Sequence, residues 1–136
     1  MHVQAMISSH PQLRGEVNRT LVAAIEAAYV CAQTCTACAD ACLAEEDVTN
    51  LSRCIRLDLD CADICSATGS VASRRTGSNE AVMRHMLEAC AEICRLCAEE
   101  CGRHAHHHDH CRVCAEACRD CDEACRAAIE TLAPMQ

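Results

Sequence analysis

Sixteen cysteines run along this chain, and nearly every gap within a run is three or four residues. They form four groups: Cys31, Cys35, Cys38 and Cys42; Cys54, Cys61 and Cys65; Cys90, Cys94, Cys97 and Cys101; Cys111, Cys114, Cys118, Cys121 and Cys125. The one wider step, from Cys54 to Cys61, is seven, which is two turns of the same stripe. Alternating gaps of three and four mark one face of an α-helix turned toward a bundle core. A strand has period two and could not keep these side chains on one face. Four groups therefore predict four helices, each with a thiol stripe where Leu or Ile would ordinarily stand.

The breakers fit that count. Pro11 suits the first turn of a helix running to about Ala44. Glu45-Glu46-Asp47 reads as a turn, and a second helix runs from about Val48 to Arg75. Gly77 suits the left-handed position after that helix, and Ser78 suits the cap of the next. A third helix runs to about Cys101 with Gly102 as its stop, a His-rich turn follows, and a fourth helix ends near Thr131 before Pro134. Residues 1–9 suggest a short extra helix on Val3, Met6 and Ile7. Short connections force successive long helices to alternate in direction. The expected fold is all-α: one antiparallel up-down-up-down four-helix bundle spanning residues 1–136, about 42 Å tall at 1.5 Å per residue.

Alternation also gathers the thiols. The groups lie near the ends of the first and third helices and the starts of the second and fourth, which share one pole. The stripe continues toward the other pole as Leu21, Ala24, Ala28, Thr68, Ala72, Met83, Leu87, Ala128 and Leu132. That half is expected to be an ordinary core that closes the tube, with Met83 and Met86 as filler and His85 at the surface.

Composition removes several functions. The chain has 136 residues, net charge −8, no Lys and one aromatic residue, Tyr29. Such a chain lacks the residues for phosphate neutralisation and base stacking, so no nucleic-acid partner is expected. No run of apolar residues approaches eighteen, which predicts no membrane span. The start shows no basic-then-apolar secretion pattern, which points to the cytoplasm, where thiols stay reduced. An enzyme is not expected either, because no thiol is set apart by a base and a pocket.

Sixteen inward thiols fit metal binding best. Neighbours one helical turn apart have Cβ atoms about 5–6 Å apart, too far for a disulfide. Soft thiolates select Cu(I), zinc or iron–sulfur clusters. Zinc wants closed tetrahedral sets, and a continuous stripe does not divide into quartets. Iron–sulfur clusters want loops around a bulky cofactor. Cu(I) accepts two or three sulfur ligands, and thiolates bridge adjacent ions. Each Cu⁺ replaces one thiol proton, which leaves the core near neutral, whereas four Zn²⁺ on sixteen thiolates would bury about −8. A zinc or general thiolate buffer, an iron–sulfur electron-transfer module and a redox sensor are the alternatives.

The runs Cys31-x3-Cys35-x2-Cys38-x3-Cys42 and Cys90-x3-Cys94-x2-Cys97-x3-Cys101 resemble the copper storage protein family, over about residues 12–132. The resemblance is to its cytosolic branch. It implies a Cys-lined four-helix bundle that assembles as a homotetramer and stores many Cu(I) ions per chain. A copper chaperone or glutathione is then the expected donor.

Two further features lie at the thiol pole. Asp58 falls four residues after Cys54 and three before Cys61, inside the stripe. It reads either as a polar ligand or gate near the mouth, or as a rim carboxylate in water or paired with an Arg. In the turn, His104 stands three after Cys101, His108 four after that, and Cys111 three further on. His104 and His108 are therefore expected as Cu(I) ligands at the mouth, with His106, His107 and His110 toward solvent. The alternative for all five is a solvated turn.

Overall fold

Asn18 begins the bundle: its side chain accepts the backbone N–H of Leu21 at 3.0 Å and so caps the first long helix. In the computed structural model, which describes residues 1–77 and 79–133, five α-helices follow in order. They are α1 (Val3–Ser8), α2 (Arg19–Leu43), α3 (Ser52–Ser73), α4 (Glu80–Arg103) and α5 (Asp109–Glu130), with a 3₁₀ turn at Val48–Leu51 before α3. No strand occurs among the described residues. The long helices pack in a ring, α2 on α3, α3 on α4, α4 on α5 and α5 back on α2. This is the all-α four-helix bundle that the cysteine periodicity predicts.

Several ends differ from the sequence expectation. Pro11 does not start a helix. Arg14 and Gly15 both take left-handed φ values, 51° and 83°, and this turn delays α2 to Arg19. Gly77 is left-handed at φ 70°, but it lies beyond the Arg74 cap rather than closing α3 itself. Gly102 does not stop α4, which continues to Arg103. Ser78 and Pro134, expected as a cap and a stop, lie outside the described residues. α1 exists, with Val3 and Ile7 buried and Met6 68% exposed, so Met6 takes no part in its packed face.

α2 bears on the membrane expectation. Its Ala- and Cys-rich sequence reaches a mean hydropathy of 1.4 over eighteen residues, long and apolar enough to cross a bilayer by composition alone. Here that apolarity is spent on the bundle: Leu21, Ile25, Ala28 and all four α2 cysteines are buried against α3 and α5.

The half without cysteines packs as an ordinary core. Ile25, Met83 and Leu87 are fully buried, with Ala24, Ala28, Ala72 and Ala128 between them, while Leu132 is partly buried at the rim. Each large aliphatic side chain contributes about 1.5–3 kcal/mol on burial. Thr68, also buried, donates its hydroxyl to the Ile64 carbonyl at 2.7 Å. Met83 fills core and His85 lies at the surface, as expected. A strap covers this pole. His10 Nε2 meets Thr76 Oγ1 at 3.1 Å, Gly77 N–H donates to Gln12 Oε1 at 2.9 Å, and Asn18 Nδ2 donates to Thr131 Oγ1 at 2.9 Å.

Candidate metal centre

All sixteen cysteines are free and buried, the most accessible being Cys38 at 2%. Their stripes converge because α2–α3 and α4–α5 turn at one pole. The thiols form a file. At the turn end, Cys38, Cys42, Cys54 and Cys111 hold their sulfurs within 4.8 Å of one another. Deeper come Cys35, Cys97, Cys114 and Cys118, then Cys31, Cys35, Cys61 and Cys118, then Cys31, Cys65, Cys94 and Cys121, each within the same span. Cys90 continues the file from Cys121 at 3.8 Å, and Cys125 lies 4.0 Å from Cys121. The three deeper quartets share members, Cys31, Cys35 and Cys118 each belonging to two of them, while the turn-end quartet shares none with the next.

The shortest sulfur–sulfur approach is 3.3 Å, between Cys54 and Cys101, and neighbours along the file lie near 3.6–3.9 Å. These are contacts between thiols, well beyond the roughly 2.05 Å of a disulfide. Burial pushes the Cys42 thiol up to about 12. A neutral, protonated file is the state that a low-dielectric core favours. A cation that replaces the protons keeps the file neutral.

Asp58 stands inside the file. It is fully buried, and its Oδ1 accepts from the thiols of Cys97 at 3.1 Å, Cys114 at 3.2 Å and Cys101 at 3.3 Å. Cys54 approaches Oδ2 at 3.9 Å. Asp58 also shares a possible ligand set with Cys38, Cys54 and Cys101. Of its two sequence readings, the exposed rim carboxylate paired with an Arg does not occur. Burial pushes its carboxyl up to about 7. The position separates the turn-end quartet from the deeper thiols.

The histidines are arranged differently from the sequence expectation. His104 Nε2 lies 2.9 Å from Glu100, a buried carboxylate also bonded by Arg103 at 2.7 Å. Burial raises the Glu100 carboxyl, but the bonds from His104 and Arg103 outweigh it and hold the group below its ordinary value. His108 lies with Nδ1 2.8 Å from Glu45 and Nε2 3.1 Å from Asp47. Its imidazole is raised above its ordinary value, chiefly by Asp47. Both stand at the thiol pole with their nitrogens on carboxylates. His106 and His107 are exposed.

His110, expected in solvent, is the one that reaches the file. Its Nδ1 lies 3.4 Å from Cys38 Sγ and 3.6 Å from Cys111 Sγ, and its Nε2 lies 2.8 Å from Glu45. The reason is a phase reset. An unbroken α4 stripe through the turn would favour His104 and His108, but α4 ends at Arg103 and α5 begins afresh at Asp109. Counted within α5, His110 stands four residues before Cys114, on the flank of the stripe; that spacing is the signal that identifies it. Beside it, a cleft of about 350 Å³ opens between α2 and α5, lined by Thr34, Ala37, Cys38, Ala41, His110 and Val113 among others.

A bundle whose core is a continuous file of thiols, with one imidazole at its turn end, belongs to the class of proteins that hold many soft cations in one core. Comparison with known proteins gives the family. The profile described as Csp, copper storage protein, matches residues 17–130, and the chain belongs to that family. The copper storage protein Ccsp of Streptomyces lividans, loaded with 10 copper equivalents, is 50% identical and superposes with a TM-score of 0.91, covering 96% of this chain and 99% of that one. The same organism's protein with five coppers, described as cytosolic, is 53% identical with a TM-score of 0.83 over 85% of this chain and 96% of that one. A curated relative, the "uncharacterized cysteine-rich protein YhjQ" of Bacillus subtilis (strain 168), is 43% identical over 95 residues, 70% of this chain and 82% of that protein.

Proposed function

We propose that this member of the copper storage family holds Cu(I) along its whole thiol file, near one ion per thiol, within the cytosol. The sharing of thiols among the deeper quartets carries the reading. Shared ligands suit a cation whose thiolates bridge neighbours, whereas closed tetrahedral sites each need four ligands of their own. The metal ligands are Cys31, Cys35, Cys38, Cys42, Cys54, Cys61, Cys65, Cys90, Cys94, Cys97, Cys101, Cys111, Cys114, Cys118, Cys121 and Cys125, with His110 Nδ1 added at the mouth. Asp58 accepts protons from, or a share of metal with, the thiols around it as ions pass inward.

Cu(I) arrives from a chaperone or glutathione at the cleft beside His110, exchanges with the protons of Cys38 and Cys111, and moves inward by thiolate exchange. His104 and His108, held on carboxylates, assist capture at the rim rather than binding in the file. The bundle acts as one domain and self-associates, in line with the exposed apolar side chains Val30, Leu59, Val82 and Val113 on its outer faces. The chain stores its metal and catalyses nothing, since no thiol is singled out for nucleophilic attack.

Competition between metals tests this. Reduced protein is equilibrated with excess Zn(II), then given Cu(I) under anaerobic conditions. Release of all but about one Zn(II) per chain, with uptake of many Cu(I) ions, is expected. Retention of about four Zn(II) per chain would replace the proposal with a zinc buffer.

A further inference from the structure

One set of metal-ligating atoms at the thiol pole contains no sulfur. Glu45, in the turn after α2, places Oε2 2.8 Å from His108 Nδ1 and 2.8 Å from His110 Nε2. The two imidazoles stack at 5.5 Å between centroids, with 20° between their planes. The three side chains are partly sheltered, with 31%, 11% and 26% of Glu45, His108 and His110 exposed. Asp47 Oδ2 stands 3.1 Å behind His108, on its other ring nitrogen.

We propose that Glu45, His108 and His110 form a site for a borderline divalent cation of the Zn(II) type, distinct in donor chemistry from the thiol file and joined to it through His110. Two imidazoles and a carboxylate are donors such ions take, with water completing the set. Ligand bonds of about 2.0–2.2 Å require donors roughly 3.4 Å apart in a tetrahedral set. The 2.8 Å contacts must open by about 0.6 Å to reach that spacing, which the partly exposed Glu45 side chain accommodates. Asp47 supplies the outer carboxylate that ordinarily receives the second N–H of a metal-bound histidine. Glu45 and Asp47 together balance the charge of a divalent ion, and soft Cu(I) has the thiols to prefer.

The shared histidine couples the two sites. A neutral imidazole offers one lone pair. A cation on Nε2 of His110 places the ring proton on Nδ1, facing Cys38 and Cys111, and withholds that nitrogen from Cu(I). Cu(I) on Nδ1 places the proton on Nε2, where it donates to Glu45. Divalent occupancy therefore opposes capture of Cu(I) at His110. This coupling rests on His110 as a Cu(I) ligand; the divalent site does not.

Co(II) as the probe separates the two parts. The first equivalent added anaerobically to reduced, metal-free protein is expected to show weak ligand-field bands without the intense near-ultraviolet sulfur-to-cobalt absorption. Glu45→Gln and His108→Ala should each weaken its binding by about tenfold or more, at unchanged helical circular dichroism. Sulfur charge transfer from the first equivalent, or binding that Glu45→Gln leaves unchanged, would overturn the site. One equivalent of Zn(II) added beforehand should then slow uptake of the first Cu(I) several-fold in the parent protein and not in Glu45→Gln. Equal rates beside an intact Co(II) site would overturn the coupling alone, and complete Cu(I) filling would still stand as the separate measure of storage.

Discussion

Asp58 puts a carboxyl among four thiols where water does not reach, and the consequence is a pH dependence with a definite sign. Burial raises its folded value to about 7, against an unfolded value of about 3.9. Between those values the folded chain holds a proton that the unfolded chain has lost. Stability of the metal-free protein therefore falls as pH rises from about 4 to about 7, and this contribution is flat above. Asp58→Asn should remove that slope and stabilise the reduced, metal-free protein at pH 8 by on the order of 2–4 kcal/mol, as read from urea unfolding. A second residue, His110, has its Nδ1 on two thiols at the mouth and none deeper. His110→Ala is accordingly expected to slow the first Cu(I) equivalent in stopped-flow mixing while total capacity changes by no more than about one ion. The sequence pointed to Asp58 because a carboxylate interrupts the stripe. It missed His110 because that reading depended on where α5 starts, which the turn decides.

The four long helices were legible because their thiol and apolar positions recur with helical period over many turns. Their ends were less so. Pro11 and Gly102 are local signals, and tertiary packing outweighs them: Arg14 and Gly15 turn the chain before Asn18 caps α2, and α4 runs through Gly102. Gly102 has open space where a Cβ would stand, so Gly102→Ala should raise stability by about 0.5–1 kcal/mol, seen as a higher Tm. Gly69 is the opposite case. A Cβ there would lie 2.9 Å from the ring of Tyr29 across the α2–α3 interface. Gly69→Ala should cost about 1–3 kcal/mol, and Tyr29→Leu in the same chain should recover part of the loss. The glycine at position 69 is thus explained by a contact with the chain's single aromatic residue that no helical pattern reveals.

The whole molecule divides its labour along its length. One half folds on Ile25, Met83, Leu87 and the alanines between them, and the other half offers thiols in place of a hydrocarbon core. A free thiol is itself a small hydrophobe, so the metal-free bundle retains a packed interior. Metal is then cargo rather than scaffold, in contrast to small metal-dependent domains that unfold without their ion. Anaerobic titration of reduced, metal-free protein with Cu(I) against a competing chelator, followed at each step by circular dichroism and metal analysis, joins both statements. Tight uptake approaching about one Cu(I) per thiol, with full helicity before the first ion and after the last, is the expected result. Saturation after a few ions, or a metal-free chain without helix, would contradict a prefolded bundle that stores Cu(I) along a continuous thiol file.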